Sequence, residues 1–488
     1  MRKGRDMVEV WHGPWVETRG DWFLEGAWAG PFAEGRFDEA HTLAGSGGRA
    51  TEDGFIFASS SNMNERIQSV QIADELLVSN SIPFLLAATG DEPDPLYRFY
   101  RDDLAAHVRA GIRETCKTLH TRRGRQLLLH DMANLSIRPD LSIRRIEKRV
   151  PPPPGDFSGY VSLLQTSMES LLRNASDSER AHQRYRPLAT LSRGYDSAAA
   201  AVLLKRMGVA EAMTFCRHEP RYAPENDNGL DIGRRLGFEV TEYDALQFRE
   251  LPGLPEAEFL ACPDGADIVL AGVEPQLSGR AFITGRQGGI VLCMDKQRIL
   301  SDLRNSSTAL AGTTMNEFRL RVGFVQYPPF FTAAQHVQAI YKISAAPEMK
   351  PWSIGGDYDR PIARRILEEA GIPRDWFGRR KMAGSHYIIE RMTSMSPGSR
   401  ADFARYLQTL PRIPPRGRMA DAARIRAMRT RARWAKALSR HERWLPQFLV
   451  DLIREMPKYA PRHTEFDFGF HWGYARIRSR YTAFRSGE

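Results

Sequence analysis

The chain has 488 residues, 42% apolar and 26% charged, which is material for two or three domains and excludes a single small binding module. Lys and Arg number 69 against 59 Asp and Glu, a formal charge of +10, and residues 411–440 hold most of the excess, with nine Arg and Lys436 against Asp421 alone. The apolar run at 198–204 is far short of the roughly 20 residues a membrane-spanning helix needs, so a spanning segment is excluded.

The chain opens with Arg2, Lys3, Arg5, Asp6 and Glu9 and no apolar run of signal-peptide length, so a cytoplasmic location is the expectation. Residues 1–148 are rich in Trp, Phe and Gly, and short alternating stretches at 21–25 and 54–58 predict strands joined by Gly turns in a mainly β domain. Pro151, Pro152, Pro153 and Pro154 then interrupt any regular element, because consecutive prolines offer no backbone N–H; a domain boundary is expected there. Helical spacing follows at 160–174. From 187 onward short strands near 187–191, 212–216, 238–243 and 281–284 alternate with helices from Ser197 to Gly208 and over 226–236, the pattern of a parallel sheet covered by helices. Residues 332–393 read as largely helical, and the chain beyond Pro397 as helical and basic. Cys116, Cys216, Cys262 and Cys293 lack zinc-ligand spacing and are expected to be reduced and mostly buried.

The stretch most informative about chemistry is Leu191-Ser192-Arg193-Gly194-Tyr195-Asp196-Ser197, a tight polar loop between an apolar strand and an apolar helix. The first N–H groups of a helix have no intrahelical partner and lie at the positive end of its dipole, so such a junction suits phosphate. Gly194 permits close approach, and Ser192 and Ser197 add hydroxyl donors. Asp196 reads either as a simple helix cap or as a Mg²⁺ ligand beneath a nucleotide.

This stretch resembles the Ser-Gly-Gly-x-Asp-Ser pyrophosphate loop of the asparagine synthetase and β-lactam synthetase family, matching at Ser192, Gly194, Asp196 and Ser197 and departing at Arg193. The resemblance covers most of residues 50–390: Thr214-Phe215-Cys216, Asn226-Asp227 and the run at 231–237 look like the family's second strand and helix, and residues 352–365 and 377–385 like its late helical part. What the resemblance implies is an ATP pyrophosphatase domain in which Leu191, Ser192, Arg193, Gly194, Asp196, Ser197, Phe215 and Gly285 bind ATP, Asp196 ligates Mg²⁺, and Lys381 stabilises the developing charge; an exposed loop lysine is the alternative for Lys381. A second departure is the segment Thr284-Gly285-Arg286-Gln287-Gly288-Gly289, which lacks the family's second aspartate. Either Asp295 replaces it, or Arg286 supplies the positive charge, or ATP is not activated. The amino-terminal region looks like the family's glutaminase β-sandwich at 57–61 and 77–81, but Met1 is followed by Arg2 where that enzyme exposes a cysteine.

The expected fold class is α/β: a parallel-sheet ATP-pyrophosphatase domain, adenine nucleotide alpha hydrolase-like, at 156–400, preceded by a degenerate glutaminase-like β-sandwich domain at 1–150 and followed by a basic helical extension at 401–488. The implied activity is amide formation through an adenylated carboxylate, with a small-molecule carboxylate and ammonia or an amine as partners and room for a homodimer. A degenerate binding or scaffold protein on the same fold is the alternative; a tRNA-modifying relative rests only on the arginine-rich stretch, which reads better as a solvated helix face, so nucleic acid is not the favoured partner. Arg217, His218 and Glu219 follow the second strand as ligand contacts or a surface turn, Arg319 and Arg321 read as a carboxylate clamp or structural ion pairs, and the aromatics of 466–481 are expected to pack.

Overall fold

The computed structural model describes the chain except residues 5–6, 113–116, 218–226, 263–264, 293, 295–301, 304–312, 314, 357, 380–390, 442–443, 457–462 and 486–488. Among the described residues its amino-terminal part has ten strands: β1 (Glu17–Thr18), β2 (Trp22–Trp28), β3 (Leu43–Thr51), β4 (Gly54–Ala58), β5 (Ile67–Ile72), β6 (Glu75–Ser79), β7 (Lys117–His120), β8 (Gln126–His130), β9 (Ala133–Ile137) and β10 (Ile143–Glu147). They form two antiparallel sheets, ordered β1-β2-β3-β4-β9-β10 and β6-β5-β8-β7. Phe57, Leu135 and Ile137 of the first share an apolar cluster with Ile67 and Leu76 of the second, so the sheets bury their faces on each other. Two helices that the alternating pattern does not predict, Ile82–Thr89 and Tyr100–Arg109, cover the smaller sheet.

After the prolines, Asp156 caps a helix, Phe157–Ala175, accepting from the Gly159 amide at 2.7 Å. The strands that follow, β11 (Arg186–Leu191), β12 (Glu211–Cys216), β13 (Glu239–Asp244), β14 (Arg280–Ile283) and β15 (Val325–Tyr327), make one parallel sheet in the order β13-β12-β11-β14-β15. Both faces are apolar, as a sheet covered on two sides requires. Ala189, Leu191, Ala212 and Ile283 join one cluster with the helix Tyr195–Arg206, whereas Leu188, Met213, Phe215 and Phe282 join another. The protein is therefore an α/β chain with a five-stranded parallel sheet accompanied by antiparallel sheets. Strand order reverses between β11 and β14, and the carboxyl ends of strands beside such a reversal form a crevice.

One buried cluster of charges joins the two parts. Arg319, on the helix Asn316–Val322, is buried between Glu25 of β2 and Glu65, with Nε 3.3 Å from the latter. Arg321 holds Glu258 at 2.6 Å and Glu274 at 2.6 Å. Both arginines thus serve structural ion pairs. The carboxyl-terminal segment returns to the body: Phe470 and Tyr474 complete the core of the smaller antiparallel sheet, and Trp472 is fully buried against Phe403. The arginine-rich stretch is the helix Pro415–Ser439, of which Ala432 and Ala435 are buried while most of its arginines are exposed; Arg424 stacks over Phe99 at 4.2 Å and pairs with Asp103 at 2.9 Å. Among the described residues no helix is long and apolar enough to cross a membrane.

Glu317 is buried in this junction and accepts from the Tyr481 hydroxyl at 2.5 Å; burial pushes its carboxyl up from 4.5 to about 7. A carboxyl whose pKa rises on folding stabilises the fold while protonated, and that contribution is lost as pH climbs from the unfolded value through the folded one. Between pH 5 and pH 8 the stability of Glu317→Gln should therefore gain on wild type by about 2–3 kcal/mol. Urea unfolding at the two pH values measures this, and a gap that stays constant would contradict it.

Candidate functional site

The site is built where β11 hands over to the helix Tyr195–Arg206. Gly194 is the helix cap in extended conformation (φ −74°, ψ 159°), and its amide donates to Ser192 Oγ at 3.1 Å. Ser192 Oγ lies 2.7 Å from Ser197 Oγ, so the two hydroxyls sit together over the first turn. The helix is apolar around its circumference, with Ala198, Ala199, Ala200, Ala201, Val202, Leu203 and Leu204 all buried, which fixes its amino-terminal end against the sheet.

The loop is clamped from the side of β12. The Arg193 amide donates to the Asp227 carbonyl at 3.1 Å, Ser192 bridges to Asn228, and Thr214 Oγ1 donates to the Leu191 carbonyl at 2.9 Å. The helix expected over 226–236 is Leu230–Arg235, because Asp227, Asn228 and Gly229 hold the loop instead; Asn226 lies outside the described residues. Arg193, in the place of the family's first glycine, does not adopt a left-handed backbone. Its guanidinium, half-exposed, reaches the Asn228 carbonyl at 3.3 Å and Asp231 at 3.5 Å.

From the other side, the turn after β14 presses on the helix start. A Cβ on Gly285 would stand 2.2 Å from the Ser197 amide nitrogen, so only glycine fits there. Gln287 takes a left-handed backbone (φ 60°). Arg286 is nine-tenths buried and pairs at 2.5 Å with the fully buried Asp267, while its Nη1 has no hydrogen-bond partner among the described residues.

A third element completes the site. Arg360, buried at the start of the helix Pro361–Glu369, pairs with the Asp196 carboxylate and lies over the Tyr358 ring at 4.9 Å. Arg364, one turn on, donates to the Tyr195 hydroxyl, and the Tyr195 ring meets Tyr358 at 5.1 Å and Phe377 at 5.7 Å. The Tyr358 hydroxyl lies beside the loop, 3.7 Å from where a Cβ on Gly194 would stand, and burial pushes its pKa up. Asp359 accepts from the Ile354 and Gly355 amides and so folds the approach to Arg360.

The fold thus brings Leu191, Ser192, Arg193, Gly194, Asp196, Ser197 and Gly285 to one place, with Arg286 alongside them in the chain but engaged by Asp267. Phe215 is not brought there: it is buried in the cluster on the other face of the sheet, 6.5 Å from the Tyr243 ring. Arg217 pairs with Asp244. Lys381, Asp295, His218 and Glu219 lie outside the described residues. Sequence reasoning missed Arg360 and Tyr358, although an unbalanced Asp196 and a missing second aspartate were signals that a cation from elsewhere was needed.

Among the described residues, which do not include Asp295, the donors do not fit Mg²⁺. One Asp196 oxygen, Oδ2, is paired with Arg360 while Oδ1 is buried without a hydrogen-bond partner, a Cβ at position 289 would stand 2.8 Å from Arg360 Nη2, and no three described Asp, Glu, His or Cys side chains gather as a metal site. Phosphate does fit, because hydroxyls, a helix start and guanidinium groups all favour an anion. A second cavity lies between the amino-terminal sheets and the α/β part, lined by Asn64, Glu65, Arg66, Asn316, Glu317 and Cys262. Burial and the neighbouring Glu317 push the Cys262 thiol above its ordinary range.

No protein-family model matches the chain, and no curated protein matches it.

Gly285→Ala tests the geometry directly. The added methyl must displace the first turn of the helix, at a cost of about 2 kcal/mol or more. Thermal unfolding should show this loss, together with loss of any phosphate binding; an unchanged melting temperature would contradict the close approach.

Proposed function

We propose that the protein is an ATP-dependent ligase of the asparagine synthetase kind, in which ATP adenylates a substrate carboxylate and ammonia or an amine takes the acyl group. The observation that carries the reading is the paired hydroxyls of Ser192 and Ser197 at a helix start, 2.7 Å apart, on the crevice where the strand order of a parallel sheet reverses. The loop's resemblance to a pyrophosphate loop adds to it, and with it the finer assignment of an ATP-pyrophosphatase fold and a glutaminase-like amino-terminal domain.

In this reading a carboxylate oxygen of the substrate attacks the α-phosphorus of ATP, the bond to the bridging oxygen breaks, and pyrophosphate leaves toward Ser192, Gly194 and Ser197. The amine nitrogen then attacks the acyl carbon, AMP departs with the carbon–oxygen bond, and the nitrogen sheds a proton. Developing charge on the pyrophosphate oxygens is met by preorganised donors, which need no reorganisation during the step. The Tyr195 amide, in the first turn of the helix, is one of those donors. Lys381, outside the described residues, keeps the role the resemblance gives it, stabilising the developing charge.

The rival is a binding or scaffold protein that keeps the fold without the reaction, and the Asp196–Arg360 pair together with Gly289 favours it. Pyrophosphate release, measured with ATP and a panel of carboxylates and amines, separates the two. A ligase releases pyrophosphate only when its carboxylate is present, and Ser192→Ala should slow that release by about tenfold to a hundredfold. Nucleotide binding with no release from any pair would favour the scaffold.

A further inference from the structure

We propose that the Asp196–Arg360 pair stands in the place of a divalent cation, so that this loop takes a polyphosphate, as inorganic pyrophosphate or the tail of a nucleotide, without metal. The inference rests on the phosphate-binding reading of the loop and goes beyond it by assigning the counter-charge.

Three independent features meet at one point. The first is occupancy: Arg360 is 3% exposed in its side chain and its Nη1 contacts Asp196 Oδ2, which leaves Oδ1 as the one oxygen of that carboxylate without a hydrogen-bond partner among the described residues. The second is space. Position 289, where the resemblance calls for a second carboxylate, is glycine, and any side chain there would begin 2.8 Å from Arg360 Nη2. The guanidinium thus fills the volume that a second ligand would occupy. The third is support. Arg360 lies on the Tyr358 ring, which packs on the Tyr195 ring at 5.1 Å, so the cation is held by the same element that covers the helix start.

A guanidinium is suited to the substitution. It stays charged at every physiological pH and presents five N–H donors in a rigid plane, so it can bridge a carboxylate and a phosphate oxygen at once. That bridging is what a divalent cation between Asp196 and a nucleotide would do. The difference lies in the charge balance: an arginine brings one positive charge, which Asp196 already offsets, so net attraction for phosphate must come from other groups as well. Arg193, half-exposed on the loop, and Arg286, with its Nη1 unpartnered among the described residues, are the cations nearest in the chain. In a metal site Asp196 is indispensable. Here it subtracts from the attraction for phosphate, and this difference in sign is what an experiment can read.

The test uses the full chain stripped of metal, with inorganic pyrophosphate and ATP as separate probes in titration calorimetry, in EDTA and again in excess MgCl₂. The expected result is a dissociation constant for each probe that agrees between the two buffers to within about threefold. Asp196→Asn, isosteric and uncharged, should tighten binding in EDTA by roughly tenfold, and Arg360→Gln should weaken it by at least as much. Circular dichroism of each variant checks folding; should Arg360→Gln unfold, the sign of the Asp196→Asn effect decides alone. Binding that needs MgCl₂ and is lost in Asp196→Asn would overturn this inference and leave the ligase reading standing. Absence of binding for both probes in both buffers would overturn the ligase reading and this inference with it.

Discussion

The contact on which the site depends is between a buried guanidinium and a carboxylate at the first turn of a helix. Asp196 sits where the positive end of the helix Tyr195–Arg206 and the paired hydroxyls would welcome an anion, and Arg360 meets it there. Breaking such a pair by removing one partner leaves an uncompensated charge in a partly desolvated place, at a cost of about 3–5 kcal/mol. The pair therefore ties the helix Pro361–Glu369 to the strand–loop–helix unit, and Arg364, donating to the Tyr195 hydroxyl, repeats the tie one turn away.

Around that contact three chain segments converge from different parts of the sequence. The loop after β11 supplies hydroxyls and a helix start, the turn after β14 presses on the Ser197 amide through Gly285, and the segment before the helix Pro361–Glu369 brings Tyr358 and Arg360. The parallel sheet makes this possible, because the order β13-β12-β11-β14-β15 places the ends of β11 and β14 side by side where the winding reverses. The amino-terminal sheets and the returning carboxyl-terminal segment brace the opposite cluster through Arg319 and through Phe466 and Trp472.

Much of this architecture is legible in the sequence. Alternating apolar stretches give the positions of β11, β12, β13 and β14 to within a residue or two, and the four prolines fall between β10 and the helix Phe157–Ala175. What is not legible has physical causes. β15 is three residues long, too short for its periodicity to stand out, and the helices Ile82–Thr89 and Tyr100–Arg109 lie among strands whose pattern dominates the reading. Phe215 was expected at the nucleotide from the resemblance, yet alternation along β12 turns it to the other face. The pairing of Asp196 with Arg360 spans 164 positions and leaves no local pattern, so only the fold could reveal it.

The central claim is that the crevice beside Ser192 and Ser197 is where two linked phosphoryl groups are held. A crystal structure of the chain with a non-hydrolysable ATP analogue tests it most directly. The account predicts density for the terminal phosphates against Ser192, Gly194 and Ser197, with Arg360 in contact and the Tyr358 hydroxyl displaced. A nucleotide bound elsewhere, with Tyr358 still beside the Gly194 loop, would contradict it.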